Sequence, residues 1–275
     1  MRTVAFTILA LTAFAANSVL CRAALGAIDA ASFSALRLFA GALTLSLLVM
    51  LRPGRTQLAG SWLSATYLLV YAVPFSFAYE SLATGTGALI LFGSVQATML
   101  IAAMMTGERP TRLQWLGLLT AIGGLVYLML PGVSAPDPLG FVLMAVAGVG
   151  WGCYSLQGRT AIDPLSETAG NFVRSVPMVV LVSAASLGAM RIESTGAALA
   201  VTSGALASGV GYAIWYAALP GLTATAAATV QLSVPVLAAL AGVLFMAEAI
   251  TPRLEIASLL ILGGVALALL KRRSA

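Results

Sequence analysis

Long apolar stretches without charge divide this chain into segments long enough to cross a lipid bilayer. Four uncharged runs cover residues 56–79, 81–107, 113–136 and 138–158. A helix needs about 20 apolar residues to cross the hydrocarbon, so each run predicts one transmembrane helix. The uncharged run 194–247 is too long for one helix. Pro220 and Gly221 predict where it breaks, because proline cannot continue a helix and glycine eases a turn.

The same pattern over the whole chain predicts an all-α polytopic membrane protein with ten transmembrane helices. The predicted helices cover residues 4–21, 32–50, 62–82, 87–106, 113–130, 138–157, 168–190, 197–218, 224–246 and 254–270. Their connections are too short for a soluble domain. The first segment also resembles a signal peptide. Because residues 138–159 repeat its pattern inside the chain, we expect the first segment to remain as a span.

The chain contains two copies of one unit. Adding 137 to a position in the first half aligns Arg37 with Arg174. Later in the unit the offset becomes 140, which aligns Glu108 with Glu248. Both glutamates lie at predicted helix ends, where a structural role such as capping a helix terminus is expected. The repeat therefore predicts the architecture before any single residue is interpreted.

The repeat divides the chain into two units of five helices each. Residues 1–136 form the first unit and residues 137–275 form the second. Because five is odd, the second unit begins on the membrane side opposite the first, and the two units are inverted relative to each other. Inverted repeats are typical of secondary transporters, in which two related halves expose a central site to each side in turn.

The composition agrees with a protein whose main solvent is lipid. Apolar residues make up 60% of the chain and charged residues only 8%, with a mean hydropathy of +1.02. Water-soluble domains carry about 25% charged residues. A chain of 275 residues with so few charges cannot cover a water-soluble surface.

The basic residues predict the orientation in the membrane. Cationic residues favour the cytoplasmic side of short loops. The side with both termini would hold Arg2, Arg52, Arg55, Arg109, Arg112, Arg159, Lys271, Arg272 and Arg273, and the other side Arg22, Arg191 and Arg253. This asymmetry predicts that both termini lie in the cytoplasm. It also accounts for the net charge of +5 and the pI of 9.6 without a nucleic acid partner.

Two related motifs resemble the signature of EamA-type drug/metabolite transporters. The first copy contains Gly107–Thr111 and Gln114–Gly117 followed by Gly123 and Gly124. The motif appears again as Ala247–Thr251 followed by Gly263 and Gly264, with alanine replacing the usual glycine. The resemblance covers essentially the whole chain. Within the family, the chain most resembles the YddG-type exporters of aromatic amino acids. The resemblance implies a ten-helix exporter with a cavity lined by helices 1, 3, 4, 6, 8 and 9.

A zwitterionic substrate in such a cavity needs polar groups that replace its hydration water. The candidate cavity residues are Asn17, Tyr79, Glu80, Gln96, Trp151, Tyr154, Trp215, Tyr216, Gln231 and Ser233. Each has a structural alternative. Aromatic residues can anchor a span at the membrane interface, and a glutamine can hydrogen-bond a neighbouring helix. Glu80 could reach water at the end of its span, or serve a substrate or a proton.

Arg37 and Arg174 raise a related question. An arginine inside an apolar segment is costly unless it is paired or close to an interface, so it is a functional candidate. Both arginines lie only one or two turns from the start of a predicted helix. We interpret them as structural anchors or gate-side residues rather than as direct substrate contacts.

The sequence offers little for enzyme or cofactor chemistry. The chain has no histidine, its only lysine is Lys271, and Cys21 and Cys153 are not equivalent in the repeat. A histidine-based metal centre or triad is therefore excluded, and no disulfide framework, zinc motif or phosphate loop is present. We expect no cofactor and no catalytic site. An intramembrane enzyme or a non-transporting scaffold remains a weaker alternative.

The sequence therefore predicts a transporter that exports small metabolites by alternating access. Amino acids, aromatic and other neutral ones, are the leading substrate class; nucleosides or cationic drugs are the alternative. The expected partners are a small-molecule substrate and the lipid bilayer. The oligomeric state stays open, and a monomer is compatible with the sequence.

Overall fold

The computed structural model describes residues 2–52, 57–105, 111–132, 135–158, 161–222 and 230–269, which are almost entirely helical. The helices are α1 (Arg2–Ala24), α2 (Ala30–Met50), α3 (Trp62–Ala78), α4 (Thr84–Met105), α5 (Arg112–Met129), α6 (Pro138–Gly158), α7 (Pro164–Ala185), α8 (Ser194–Gly221), α9 (Ser233–Met246) and α10 (Pro252–Leu269). Within the described ranges, seven helices are long and apolar enough to cross a membrane, and α3 and α9 are shorter apolar helices. The predicted all-α fold is confirmed.

Several helix boundaries differ from those predicted. Helix α7 begins at Pro164, four residues earlier than predicted. Proline is tolerated in the first turn because the N–H groups there have no partner within the helix. Helix α3 ends at Ala78, and Tyr79 forms its C-cap. Helix α8 ends at Gly221, where the proline and glycine predicted a break. The segment 203–210 within α8 has π-helical geometry, which the apolar pattern did not indicate.

The packing of the helices follows the repeat. The contact of α1 with α9 corresponds to that of α6 with α4, and the contact of α1 with α8 corresponds to that of α6 with α3. Likewise, α2 packs on α8 as α7 packs on α3. Three further contacts join equivalent helices: α2 with α7, α4 with α9, and α5 with α10. The fold is thus built from two related five-helix units that pack extensively against each other.

The exterior of the bundle is apolar. Large side chains such as Leu181, Leu244 and Leu259 are each at least 74% exposed. A water-soluble protein would bury such residues, whereas a lipid environment solvates them. The buried side chains between the helices include small and polar residues as well as aromatic ones.

One end of the bundle, the α1–α2 end, holds the turns after odd-numbered helices. Ile28 forms an isolated β-bridge with Ile192, which joins the α1–α2 and α7–α8 turns. Ser81 donates a hydrogen bond of 3.1 Å to the Asp137 carboxylate, which joins the α3–α4 and α5–α6 turns. The opposite end, the α2–α3 end, holds turns after even-numbered helices. Successive helices therefore alternate in direction, as a multi-span topology requires.

A carboxylate links the two repeats at the α1–α2 end. Both oxygens of Glu248, just beyond α9, accept hydrogen bonds from the first N–H of α4, that of Thr84, at 3.0 and 2.8 Å. The Thr84 hydroxyl donates a further bond of 2.9 Å, and the Arg22 Nε atom lies 3.8 Å from the same carboxylate. The predicted capping role of Glu248 is confirmed. Its counterpart Glu108 lies outside the described residues.

Candidate functional site

A narrow cavity lies between the two repeats near the middle of the helices. It is lined by Phe14, Asn17, Ser18, Tyr71, Phe75, Leu91, Phe92, Trp151 and Tyr212. These residues come from α1, α3, α4, α6 and α8, five of the six helices that the family resemblance implies. The space open to the centre of a water molecule is about 20 Å³, which suffices for one or two waters. The described residues therefore leave room for water in this cavity but not for an amino acid.

Aromatic rings form most of the cavity wall. The Trp151 ring lies 4.9 Å from that of Tyr71 and 5.2 Å from that of Tyr212, measured between centroids. Phe14 meets Tyr212 edge-on at 5.7 Å, and Trp215 packs behind Phe14 at 5.8 Å. Such contacts between rings favour fixed orientations. The wall offers ring faces to an apolar or aromatic ligand.

The polar part of the wall is centred on Asn17. Its Oδ1 atom accepts hydrogen bonds from the hydroxyls of Ser203 at 2.8 Å and Ser208 at 3.3 Å. Both serines belong to the π-helical segment of α8. Irregular π segments are frequent at functional sites, because they turn side chains away from the regular helical positions. With its oxygen engaged, the Asn17 amide group retains its N–H donors for a ligand.

A buried arginine lies directly behind this wall. Arg37 of α2 is 1% exposed. Its Nη2 atom donates to the Tyr71 hydroxyl at 2.7 Å, and its Nε atom donates to the Ser208 hydroxyl at 3.3 Å. The guanidinium carbon lies 5.1 and 4.9 Å from the ring centroids of Tyr71 and Phe75, within the range of cation–π attraction. Arg37 therefore contacts the cavity wall through residues that line it.

Its repeat counterpart has different surroundings. Arg174 donates from Nη1 to the backbone carbonyls of Ala59 at 2.7 Å and Gly170 at 2.9 Å. These bonds fix the segment before α3 against α7. Arg174 thus has the structural role that the sequence suggested for both arginines, whereas Arg37 lies beside the cavity.

A second, smaller cavity lies toward the α2–α3 end, and Tyr154 and Tyr216 line it. The Tyr216 hydroxyl accepts a hydrogen bond from Thr168 at 3.1 Å, and the Tyr154 hydroxyl accepts one from the Asn171 amide at 3.5 Å. The ring of Tyr154 also lies 5.6 Å from that of Trp151 in the central cavity. Aromatic side chains of the two cavities are therefore in contact with each other.

Two predicted cavity residues at the end of α3 lie outside both cavities. Tyr79 is fully buried, and its hydroxyl donates to the Thr84 carbonyl at 3.3 Å. Glu80 follows α3 and is exposed. Partial burial raises the pKa of the Glu80 carboxyl, and the nearby Asp29 charge adds to that rise. Tyr79 serves helix packing here, and Glu80 faces the α1–α2 end.

The remaining predicted residues lie on α4 and at the start of α9. Gln96 is buried in α4, and Gln231 and Ser233 are half-buried. The Ser233 hydroxyl donates to the Val230 carbonyl at 2.7 Å. Of the ten predicted residues, the central cavity therefore brings together Asn17 and Trp151, while the second cavity brings together Tyr154 and Tyr216.

Five aromatic lining residues were not among the ten predicted ones: Phe14, Tyr71, Phe75, Phe92 and Tyr212. A signal for three of them was present in the sequence. Tyr71 and Phe75 are spaced four residues apart on one face of α3. Tyr212 is the repeat equivalent of Phe75 at the offset of 137.

The described residues contain no group of three or more histidine, cysteine, aspartate or glutamate side chains that could hold a metal ion. The polar atoms around the central cavity are instead hydroxyls, one amide and one guanidinium. Such groups can bind a polar organic molecule through hydrogen bonds and charge.

Comparisons with known proteins agree with this architecture. The model of the EamA-like transporter family matches residues 1–130 and again residues 138–270. An uncharacterized protein of Pseudomonas aeruginosa is 54% identical over 98% of this chain and 96% of its own length. A solved crystal structure superposes with a TM-score of 0.67 at 22% identity, covering 96% of both chains, which indicates the same fold.

More distant relatives carry functional names. The threonine/homoserine exporter RhtA of Escherichia coli K12 is 29% identical over 82% of this chain and 77% of its own length. RhtA of Salmonella typhimurium is 27% identical over 89% of this chain and 83% of its own length. Both alignments extend across the two repeats.

Proposed function

This chain belongs to the EamA-like transporter family, and on that premise we propose that it exports neutral amino acids across the bacterial inner membrane. Transport would proceed by alternating access of the central cavity between repeats 1–136 and 137–275. Similarity to the threonine/homoserine exporters supports amino acids as the substrate class. Transport also needs no acid–base pair or cofactor, so we propose no catalytic activity.

The observation that carries this proposal is the mixed character of the central cavity. Six aromatic side chains line it, and the amide of Asn17 and the hydroxyl of Tyr71 add polar groups. A neutral amino acid has the matching division, because its side chain is apolar or weakly polar and its backbone groups are charged. A buried site must supply hydrogen bonds to such groups, since they lose their water.

This narrow cavity must widen before it can hold an amino acid. We infer that the two repeats rock against each other and open the cavity first at the α2–α3 end and then at the α1–α2 end. The second cavity lies on the first of these paths. With cytoplasmic termini, the α2–α3 end would face the cytoplasm, and this sequence of openings would move a substrate outward.

The test is counterflow in proteoliposomes that contain the purified protein. Vesicles loaded with unlabelled amino acid should accumulate the labelled form of threonine, homoserine, methionine, phenylalanine or tryptophan. Asn17→Leu should reduce the exchange about tenfold or more, because it removes the amide donor from the cavity. A matched change at the lipid-facing Leu181→Ala should leave the exchange intact. Absence of exchange for every amino acid would refute the proposal.

The same assay addresses the finer specificity. We propose that the aromatic wall accepts aromatic as well as small neutral amino acids, as the YddG-type resemblance suggests. Exchange of phenylalanine or tryptophan comparable with that of threonine would support this breadth. Exchange restricted to threonine and homoserine would limit the substrates to small polar amino acids. Comparison with and without a pH gradient would show whether protons drive transport.

A further inference from the structure

Arg37 is a charge without a countercharge in the described part of the chain. The ion pairs there join Arg22 with Glu248 and Arg52 with Asp163, and neither involves Arg37. The hydrogen-bond partners of Arg37 are two neutral hydroxyls, those of Tyr71 and Ser208. Burial of a charge that is paired only with neutral groups is costly.

One nitrogen of this guanidinium is also unsatisfied. The Nη1 atom of Arg37 is buried and has no hydrogen-bond partner among the described residues. Such a buried donor is expensive, and natural proteins keep few of them. The equivalent arginine of the second repeat shows that the scaffold can satisfy this group, since Arg174 Nη1 reaches two backbone carbonyls. The unsatisfied donor is thus specific to the copy beside the cavity.

Arg37 and the cavity share their neighbours. Tyr71 accepts a hydrogen bond from Arg37 and also lines the cavity. Phe75 lines the cavity too, and its ring faces the guanidinium. On the other side, the Ser208 hydroxyl connects Arg37 with Asn17, since it accepts from the guanidinium and donates to the amide oxygen. A single layer of side chains therefore separates the charge from the cavity.

We propose that Arg37 binds the carboxylate of the transported molecule. This inference rests on the proposed transport function and makes an anionic group a requirement for substrates. When the cavity widens, movement of the Tyr71 hydroxyl would expose the guanidinium. A carboxylate could then accept from the free Nη1 atom and from the Asn17 amide, and a hydrogen bond from a charged donor is stronger than one between neutral groups. The aromatic rings would hold the rest of the molecule.

The proposal also predicts which substrates are refused. A fixed positive charge in a site of low dielectric repels a cation, so lipophilic cationic drugs are disfavoured. An analogue without a carboxylate forms no ion pair with Arg37 and leaves the charge of Arg37 unpaired. The site should therefore prefer an amino acid to its amide, in which the carboxylate is replaced by a neutral group.

The test compares threonine with threonine amide as competitors of labelled threonine in counterflow. Wild-type protein should prefer threonine by about tenfold or more, the effect of a hydrogen bond to a charged group. Arg37→Gln should lose this preference, because glutamine keeps a donor but not the charge. Arg174→Gln is the matched control and should retain it. A folded Arg37→Gln protein that still prefers threonine would overturn the proposal.

Two further measurements cover other outcomes. If Arg37→Gln does not fold, the wild-type comparison decides, since equal competition by threonine and its amide refutes a carboxylate site. If the wild type exchanges no amino acid, the transport proposal fails. Binding of phenylacetate and of phenylacetamide then tests Arg37 without transport. Tryptophan fluorescence can report this binding, because Trp151 lines the cavity. Equal affinity for phenylacetate and phenylacetamide would refute the carboxylate site.

Discussion

Ala247 shows how a single residue can retain an unfavourable backbone conformation. It forms the C-cap of α9 with φ of 53°, in the left-handed region that favours glycine. In this region a Cβ atom costs about 1 kcal/mol. The equivalent position of the first repeat holds Gly107, the residue type that this conformation favours.

We predict that Ala247→Gly stabilises the protein by about 1 kcal/mol, because it removes the steric cost of the left-handed conformation. Thermal unfolding in detergent would measure the change. The neighbouring Ala249 is also exposed but has no positive φ, so Ala249→Gly should give no such gain. Equal effects of the two substitutions would contradict the backbone explanation.

Asp29 is a second residue with a local and testable role. It caps α2, and its two carboxylate oxygens accept from the N–H groups of Ser32 and Arg191, each at 2.9 Å. Burial alone would raise the pKa of the Asp29 carboxyl. The two backbone N–H groups outweigh burial and hold this pKa below the ordinary value of 3.8. The ionised form is therefore preferred in the folded protein.

Because the folded pKa is depressed, Asp29 stabilises the fold above its ordinary pKa and loses that effect as the pH falls through the folded value. Asp29→Ala should destabilise the protein by about 1 kcal/mol at pH 7. Melting curves at pH 7 and pH 3 should show a smaller difference from wild type at pH 3. Asp29→Asn keeps one acceptor oxygen and should therefore destabilise the protein less than Asp29→Ala does. A difference that grows in acid would contradict this assignment.

The residue scale also limits what sequence can predict about the site. Arg37 and Arg174 are identical residues at equivalent positions, and the sequence suggested one role for both. Their partners differ because Arg174 meets one backbone carbonyl of a loop and one of its own helix, whereas Arg37 meets hydroxyls from α3 and α8. Such partners depend on which helices become neighbours, and a linear pattern does not contain that information.

At the scale of elements, the apolar pattern predicted helices well and their internal geometry poorly. The sequence predicted one ordinary helix over residues 197–218, yet the segment 203–210 is π-helical. This segment packs against α1 and α2 and presents two serines to Asn17. Tight packing of Gly204 against the Arg37 backbone accompanies the irregular turn. Tertiary contacts therefore decide where the helix departs from regular spacing.

The contact between α9 and α4 gives a prediction at the same scale. Glu248→Ala removes the acceptor for the first N–H of α4 and should destabilise the protein by about 2 kcal/mol, the loss expected for a charge-assisted hydrogen bond. Glu248→Gln should have a smaller effect, since one acceptor oxygen remains. Glu255 is exposed on α10 and provides the control. Similar melting temperatures for Glu248→Ala and Glu255→Ala would exclude this capping role.

At the scale of the whole molecule, charge predicts orientation. The connections on one predicted side hold most of the arginines, which predicts that both termini lie in the cytoplasm. A green fluorescent protein fused after Ala275 should therefore fluoresce in living cells, and alkaline phosphatase at the same place should be inactive. Fusions in the α7–α8 connection, at residues 190–193, should show the opposite pattern. Phosphatase activity at the C terminus would reverse the orientation and with it the proposed direction of transport.

The sequence by itself determined the lipid-solvated, all-helical architecture and its division into two related units. These properties follow from hydrophobicity and periodicity, which are local and additive along the chain. Only the tertiary structure decided that Tyr71, Phe75 and Tyr212 form the cavity wall and that Arg37 is buried behind it without a countercharge. Those features arise where helices from both repeats meet, since burial and hydrogen bonding depend on neighbours that are distant in the chain.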